Sequence, residues 1–169
     1  MTSFRHKLSI FDEMHRNVVL STVVFLILNF LALAIGGLFT GKGVPSDWYM
    51  ALNKAPWTPP GWVFGFAWTF IMICFSVYMA FFWQYFENKK LLIGLFAVQW
   101  VLNVLWNPVF FHFHQITAGL LVISLLTVLV GYLLYFSWPY IGYKALLILP
   151  YVIWLLIATS LNGYVVFHN

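Results

Sequence analysis

Long apolar stretches, separated by short polar segments, dominate the hydropathy pattern of this chain. A transmembrane helix needs about 20 mostly apolar residues, and five stretches are long enough. They cover approximately residues 18–39, 61–86, 91–111, 116–138 and 145–167. None shows the ten-residue alternation of an outer-membrane β-strand, and lipid requires a backbone that satisfies its own hydrogen bonds. The pattern therefore predicts an all-α integral membrane protein, a bundle of five transmembrane helices.

Two segments outside the spans carry predictions of their own. Residues 1–17 place Phe4, Leu8 and Phe11 at helical spacing, which is typical of a helix lying in the headgroup layer. A frayed terminus is the open alternative. Residues 40–60 form a long loop stiffened by prolines and tryptophans, whereas every other loop is short. Long loops in compact domains tend to be functional, so this one predicts a lid over one end of the bundle.

Composition supports the membrane interpretation and excludes several classes of protein. Hydrophobic residues make up 63% of the chain and charged residues 7%, against roughly 25% charged in a soluble domain. A water-soluble globule and a disordered chain are both excluded. The net charge of +4 rests on 8 Lys+Arg and 4 Asp+Glu, too few charges to bind nucleic acid. The single cysteine, Cys74, excludes an internal disulfide framework.

The distribution of lysine and arginine predicts the orientation of the spans. Cytoplasmic loops carry an excess of these residues. One side of the bundle holds six of them and the other side two. The six are Arg5, Lys7, Arg16, Lys89, Lys90 and Lys144, and the two are Lys42 and Lys54. The N-terminus is therefore expected in the cytoplasm and the C-terminus outside, with a bacterial inner membrane as the default location.

Few residues inside the spans can carry chemistry. No Asp, Glu, Lys or Arg lies within any span, which argues against a proton-driven transporter or an ion pump. Asn29, Asn103 and Asn162 do lie within spans. Intramembrane amides either join helices by hydrogen bonds or contact a ligand, and the sequence leaves both roles open. No catalytic acid, base or nucleophile set can be assembled.

The aromatic residues raise a second open question. An interfacial belt explains the tryptophans near span ends, but it explains Trp68, Trp100, Trp106 and Trp154 less well. Those deeper indoles either pack between helices or line a cavity for a flat apolar ligand. His112 and His114 in the third loop and His168 next to the C-terminus carry imidazoles that could bind metal or haem. No carboxylate or thiol completes such a set, so no metal site is predicted.

Three motifs, in this order, resemble one known family. They are WYMALNKAPWTPPGWVFGFAW at residues 48–68, QWVLNVLWNPVFF at 99–111 and PYVIWLLIATSLN at 150–162. Together they are similar to the tryptophan-rich sensory protein family, also called the translocator protein or peripheral-type benzodiazepine receptor family. The resemblance covers about residues 36–162. It implies five transmembrane helices and a homodimer.

The same resemblance implies a function and a site. Family members bind porphyrins such as protoporphyrin or haem as ligands, without a required cofactor, and some bind sterols or benzodiazepine-site ligands. The implied pocket lies between helices beneath the first loop. Its expected residues are Tyr49, Pro59, Phe64, Trp68, Asn103, Trp106, Trp154 and Ala158. Because no Lys or Arg follows Tyr164, the sterol pattern of animal members is incomplete.

A membrane receptor or sensor for tetrapyrroles is therefore the expected function, and two alternatives stand beside it. The first is an enzyme that degrades porphyrin in light, for which the resemblance implicates Trp68 and Trp154. The second is a transporter of porphyrin or another hydrophobic ligand. The lipid bilayer and the flat ligand are the expected partners, and nucleic acid is not.

Overall fold

The computed structural model describes the backbone of residues 2–169 and the side chains of residues 15–169. All secondary structure in this part of the chain is helical. The α-helices are α1 (Thr2–Gly43), α2 (Asp47–Ala51), α3 (Gly61–Tyr85), α4 (Lys89–Asn107), α5 (Ile116–Ile141) and α6 (Leu149–His168). A π-helical turn, Pro108–His112, follows α4, and a 3-10 segment, Gly142–Ile148, joins α5 to α6.

The long helices are apolar enough to cross a membrane. Among the described residues, four continuous stretches meet the length and hydropathy needed, and the last of them, Ile116–His168, has 53 residues and contains both α5 and α6. Large apolar side chains are exposed along the helices, among them Leu20, Ile27, Phe66, Leu121 and Val128. A soluble monomer rarely exposes so much apolar surface. The predicted all-α, multi-pass membrane bundle is therefore confirmed.

Some helix boundaries differ from the sequence pattern. The pattern predicted a turn over residues 138–143, but α5 continues to Ile141 with Pro139 inside it. A proline in a last helical turn removes one backbone hydrogen bond without ending the helix. The break comes instead at Gly142, whose φ of +54° favours glycine. Residues 2–17 of the predicted interfacial segment, residues 1–17, form the start of α1, and the side chains up to residue 14 lie outside the described part.

The five long helices form a ring. Helix α1 packs between α3 and α4, α4 contacts α5, α5 packs along α6, and α6 returns to α3. The C-terminal ends of α1, α4 and α6 therefore meet the N-terminal ends of α3 and α5 at one end of the bundle. The loop predicted as a lid, which contains α2, covers that end. We call it the lid end, and the opposite end the far end.

Large side chains fill the far half of the ring. Phe75, Tyr78, Phe82 and Tyr151 are almost fully buried there, together with leucines of α4, α5 and α6. The hydroxyl of Tyr78 donates a hydrogen bond of 3.0 Å to a backbone carbonyl of α5, so this buried polar group is satisfied. Close packing at the far half leaves the lid half as the place where space between helices remains.

Candidate functional site

A cavity of about 580 Å³ lies between the helices at the lid end. This volume falls in the usual range of small-molecule sites. Helices α1, α3, α4 and α6, the π-helical turn and the lid all contribute to its wall. The lining residues are Ala32, Leu33, Gly36, Gly37, Thr40, Val44, Tyr49, Lys54, Thr58, Pro59, Gly61, Phe64, Gly65, Trp68, Thr69, Asn103, Trp106, Asn107, Phe110, Phe111, Ala158, Leu161, Asn162 and Val165.

The structure brings most of the residues expected at the site to this one cavity. Tyr49, Pro59, Phe64, Trp68, Asn103, Trp106 and Ala158 all line it. Trp154 does not. Its indole packs edge-on against Phe64 at a centroid distance of 5.3 Å, behind the cavity wall. The N–H of this buried indole has no hydrogen-bond partner among the described residues. Ligand contact by any of these residues stays a prediction.

Aromatic stacking fixes the inner face of the lid. The hydroxyl of Ser46 accepts a hydrogen bond from the backbone N–H of Tyr49 at 3.3 Å and thereby caps α2. Trp48 of α2 stacks its ring on His114 at a centroid distance of 4.1 Å and packs edge-on against Phe110 at 5.5 Å. Tyr49 packs against Phe111 at 5.5 Å. Helix α2 is therefore held over the cavity by rings from the turn after α4.

A set of hydrogen bonds ties the lid to the end of α6. The backbone N–H of Asn53 donates to Asn169 Oδ1 at 2.9 Å, and Asn169 Nδ2 donates to the carbonyl of Asn53 at 3.3 Å. The side chain of Asn53 donates to the carbonyl of His168 at 3.0 Å. We call Asn53, His168 and Asn169 the lid latch. Nearby, the indole N–H of Trp57 donates to Ser160 Oγ at 3.2 Å.

The wall opposite α3 comes from the end of α4 and the π-helical turn. Pro108 begins that turn and cannot donate a backbone hydrogen bond, which is a common cause of a local change in helix geometry. The turn places Phe110 and Phe111 in the buried interior. Trp106 stacks on Phe110 at 5.3 Å with an interplanar angle of 13°. This stack forms a flat aromatic surface beside the cavity.

Hydrogen bonding separates the roles of the intramembrane amides. Asn29 donates to Ser76 Oγ at 2.8 Å and joins α1 to α3. Asn162 Oδ1 accepts from the Trp106 indole at 2.9 Å and joins α6 to α4. The amide of Asn103 lines the cavity and forms no hydrogen bond with any side chain or backbone group in the described part of the chain. Of these three asparagines, Asn103 is therefore the one whose amide is left available for a ligand.

The remaining polar groups have local roles. His114 stacks on Trp48, His168 stacks on Tyr164 at 3.8 Å, and His112 lies 6.1 Å from the ring of Phe39. No three potential metal ligands come together among the described side chains. Burial raises the pKa of the Tyr49 hydroxyl above its ordinary value, so this group is neutral at physiological pH and able to donate a hydrogen bond.

Several lining residues were missed by the sequence analysis. Asn107 and Phe110 lie four residues beyond Asn103 and Trp106. Side chains four apart share a helix face, so helical spacing from the expected residues would have found them. Lys54 is also a lining residue. It was quoted as part of a motif, but nothing in the pattern indicated that its side chain reaches the cavity.

Fold and site together define a class of protein: a multi-pass helical membrane protein with an aromatic cavity beneath a lid. Comparison with known proteins identifies the family. Residues 23–168 match the TspO/MBR family, and the chain belongs to that family. It is 36% identical to protein CrtK of Rhodobacter capsulatus, over 79% of this chain and 85% of that relative.

Other relatives extend from bacteria to mammals. The chain is 33% identical to the tryptophan-rich sensory protein of Cereibacter sphaeroides, with 81% of this chain and 87% of that one covered. It is 30% identical to the translocator protein of Bos taurus, with 83% and 85% covered. The family predicted from the three motifs is therefore confirmed.

Proposed function

We propose that this protein is a membrane receptor or sensor that binds porphyrins and related tetrapyrroles, such as protoporphyrin or haem, in the lid-end cavity. A flat aromatic ligand suits this space because Trp68 and the Trp106–Phe110 stack offer ring surfaces. The observation that carries the proposal is the amide of Asn103, which lines this largely apolar cavity and has no hydrogen-bond partner among the side chains that the structure describes. Few, well-placed polar groups in an apolar pocket are typical of ligand sites.

Quenching of tryptophan fluorescence tests the binding step. Protoporphyrin IX is titrated into the purified protein in detergent, and we expect saturable quenching with one affinity. Replacing Trp68 or Trp106 with phenylalanine is expected to remove much of the quenching, whereas Trp138→Phe, at the far end of α5, is the matched control. Quenching that fails to saturate, or that only the control variant changes, would overturn the proposal.

Light-dependent degradation of the bound porphyrin is the second candidate function. The observation in its favour is that Trp68 lines the cavity and packs edge-on against Tyr151 at 5.9 Å. An excited porphyrin could take one electron from this indole, with dioxygen as the final oxidant. Because Phe64 separates Trp154 from the cavity, Trp68→Phe should slow bleaching more than Trp154→Phe. Bleaching of bound porphyrin no faster than that of free porphyrin in the same detergent would reject this function.

Transport is tested separately from binding and bleaching. Protoporphyrin uptake into vesicles that contain the protein is compared with uptake into empty vesicles. Accumulation above the empty vesicles would favour a transporter over a receptor.

We further propose that the lid end faces away from the cytoplasm in a bacterial inner membrane, and that the protein is a homodimer. The first proposal rests on the lysines Lys89, Lys90 and Lys144 near the far end, and the second on the family resemblance. A cysteine introduced at Ser46, in a background without Cys74, should react in intact cells with a membrane-impermeant maleimide. If a cysteine introduced at Asn88 is labelled instead, the orientation is the opposite of the one proposed. The molar mass in detergent tests the homodimer.

A further inference from the structure

A formal charge lines the cavity at the lid. Among the described lining residues, Lys54 is the only Asp, Glu, Lys or Arg, and the rest of the wall is aromatic, aliphatic or neutral polar. A lone charge beside an otherwise apolar pocket affects which ligands can enter, because charged groups fix orientation and exclude molecules that leave them unpaired. The lining of the cavity is therefore positive at the lid and neutral elsewhere.

The ammonium group of Lys54 retains capacity to bind an anion. Its Nζ lies 4.8 Å from the ring centroid of Tyr49 and donates one hydrogen bond of 3.3 Å to the carbonyl of Met50. Neither contact is with a carboxylate. A lysine ammonium has three donors, so two remain after the bond to Met50. The side chain is half-buried, which reduces screening of its charge by water relative to a fully exposed lysine.

The backbone at Lys54 is also held in place. The preceding residue, Asn53, belongs to the lid latch and is tied to Asn169. The following residue, Ala55, is buried, and its carbonyl accepts hydrogen bonds from the backbone N–H and the hydroxyl of Thr58. With both neighbours fixed, the backbone of Lys54 has a defined position at the rim of the cavity, so only its side chain has to be ordered when the ammonium pairs with a ligand.

We infer that Lys54 binds a carboxylate of the ligand, so that the site selects flat apolar molecules that carry an acidic group over their neutral counterparts. This inference rests on the proposed function. The apolar ring system would lie between Trp68 and Trp106, deeper in the cavity, and the acid group would stay at the lid. Tyr49, whose ring contacts Lys54 Nζ at 4.8 Å, lines the cavity at the same end.

The test compares two ligands that share one ring system and differ in their acid groups, which are charged in one and methyl-esterified in the other. Protoporphyrin IX carries two carboxylates, and its dimethyl ester carries none. Affinities are measured by tryptophan quenching in detergent for the unmodified protein, Lys54→Met, Lys54→Arg and Lys42→Met. Lys42 lies in the last turn of α1 and is absent from the cavity lining, so its replacement removes the same charge from the same end of the bundle.

We expect the unmodified protein to bind the diacid about tenfold more tightly than the ester, in line with the energy of a charge-assisted hydrogen bond. In Lys54→Met this preference disappears while affinity for the ester is kept. Lys54→Arg and Lys42→Met retain the preference. Added salt should weaken binding of the diacid to the unmodified protein but not to Lys54→Met.

The outcomes separate this inference from the proposed function. If both porphyrins bind with equal affinity, or if Lys54→Met keeps the preference, the role of Lys54 is wrong while porphyrin binding stands. If Lys54→Met weakens both ligands equally, the lysine supports the lid and does not select acids. If neither compound binds the unmodified protein, the proposed function fails and this inference fails with it.

Discussion

Removing the amide of Asn169 is expected to loosen the lid. The substitution Asn169→Ala deletes two of the three hydrogen bonds of the lid latch, the ones that join Asn169 to the backbone N–H and carbonyl of Asn53. The bond from the Asn53 side chain to the carbonyl of His168 remains, as does the bond from Trp57 to Ser160. The lid is therefore weakened and not released.

The size of this effect follows from the number and exposure of the lost bonds. A typical hydrogen bond contributes about 0.5–1.5 kcal/mol net, and these two are exposed, so water replaces them in the open state. Together they stabilise the closed lid by about 1–2 kcal/mol, which corresponds to roughly a 5- to 30-fold change in the opening equilibrium. Dissociation of a ligand that must pass the lid can accelerate by up to the same factor.

Hydrogen exchange measures lid opening without any ligand. In detergent, amides within residues 44–60 of Asn169→Ala should exchange faster by that factor, while amides of α3 beyond residue 70 keep their protection. The matched control is Asn88→Ala, which removes an asparagine that caps α4 at the far end. Lid exchange within twofold of the unmodified protein would show that the latch does not hold the lid closed.

Two further substitutions test the packing around the cavity. Gly43→Ala places a Cβ against the Cβ and ring of Phe111, so we expect a loss of about 1–3 kcal/mol from overpacking and a lower melting temperature in detergent. Gly41→Ala, with open space around it inside α1, should melt at the same or a slightly higher temperature, because alanine is the better helix former. Trp106→Phe keeps a ring beside the π-helical turn but leaves Asn162 Oδ1 without its donor. This should lower the free energy of unfolding by about 1–2 kcal/mol, which chemical denaturation measures. An unchanged denaturation midpoint would contradict the assigned hydrogen bond.

Hydropathy predicted the membrane bundle because the bilayer fixes the length and polarity of each span. Where the helices end depends on backbone detail that hydropathy does not carry. Pro139 and Gly142 both indicated a turn, yet only the glycine ends α5. Gly142 adopts a positive φ, which would be strained for other residues, whereas a proline near a helix end costs a single hydrogen bond.

The site was less accessible to sequence reasoning than the fold. Asn29, Asn103 and Asn162 look alike along the chain, and their roles separate only through distant partners: Ser76, 47 residues from Asn29, and Trp106, 56 residues from Asn162. No periodicity encodes such pairs. The position of Trp154 behind Phe64 depends in the same way on how two helices face each other.

The cavity exists because the two halves of one bundle are filled differently. At the far half, Phe75 and Tyr151 occupy the centre of the ring at a centroid distance of 5.4 Å. At the lid half, the inward positions include Ala32 and Ala158, whose side chains are too small to meet across the interior of the ring. Hydrogen bonds such as the one from Trp106 to α6 keep the helices in register around the space. The helices are therefore held at a fixed separation with too little side-chain volume between them, and the hollow remains, with the lid above it.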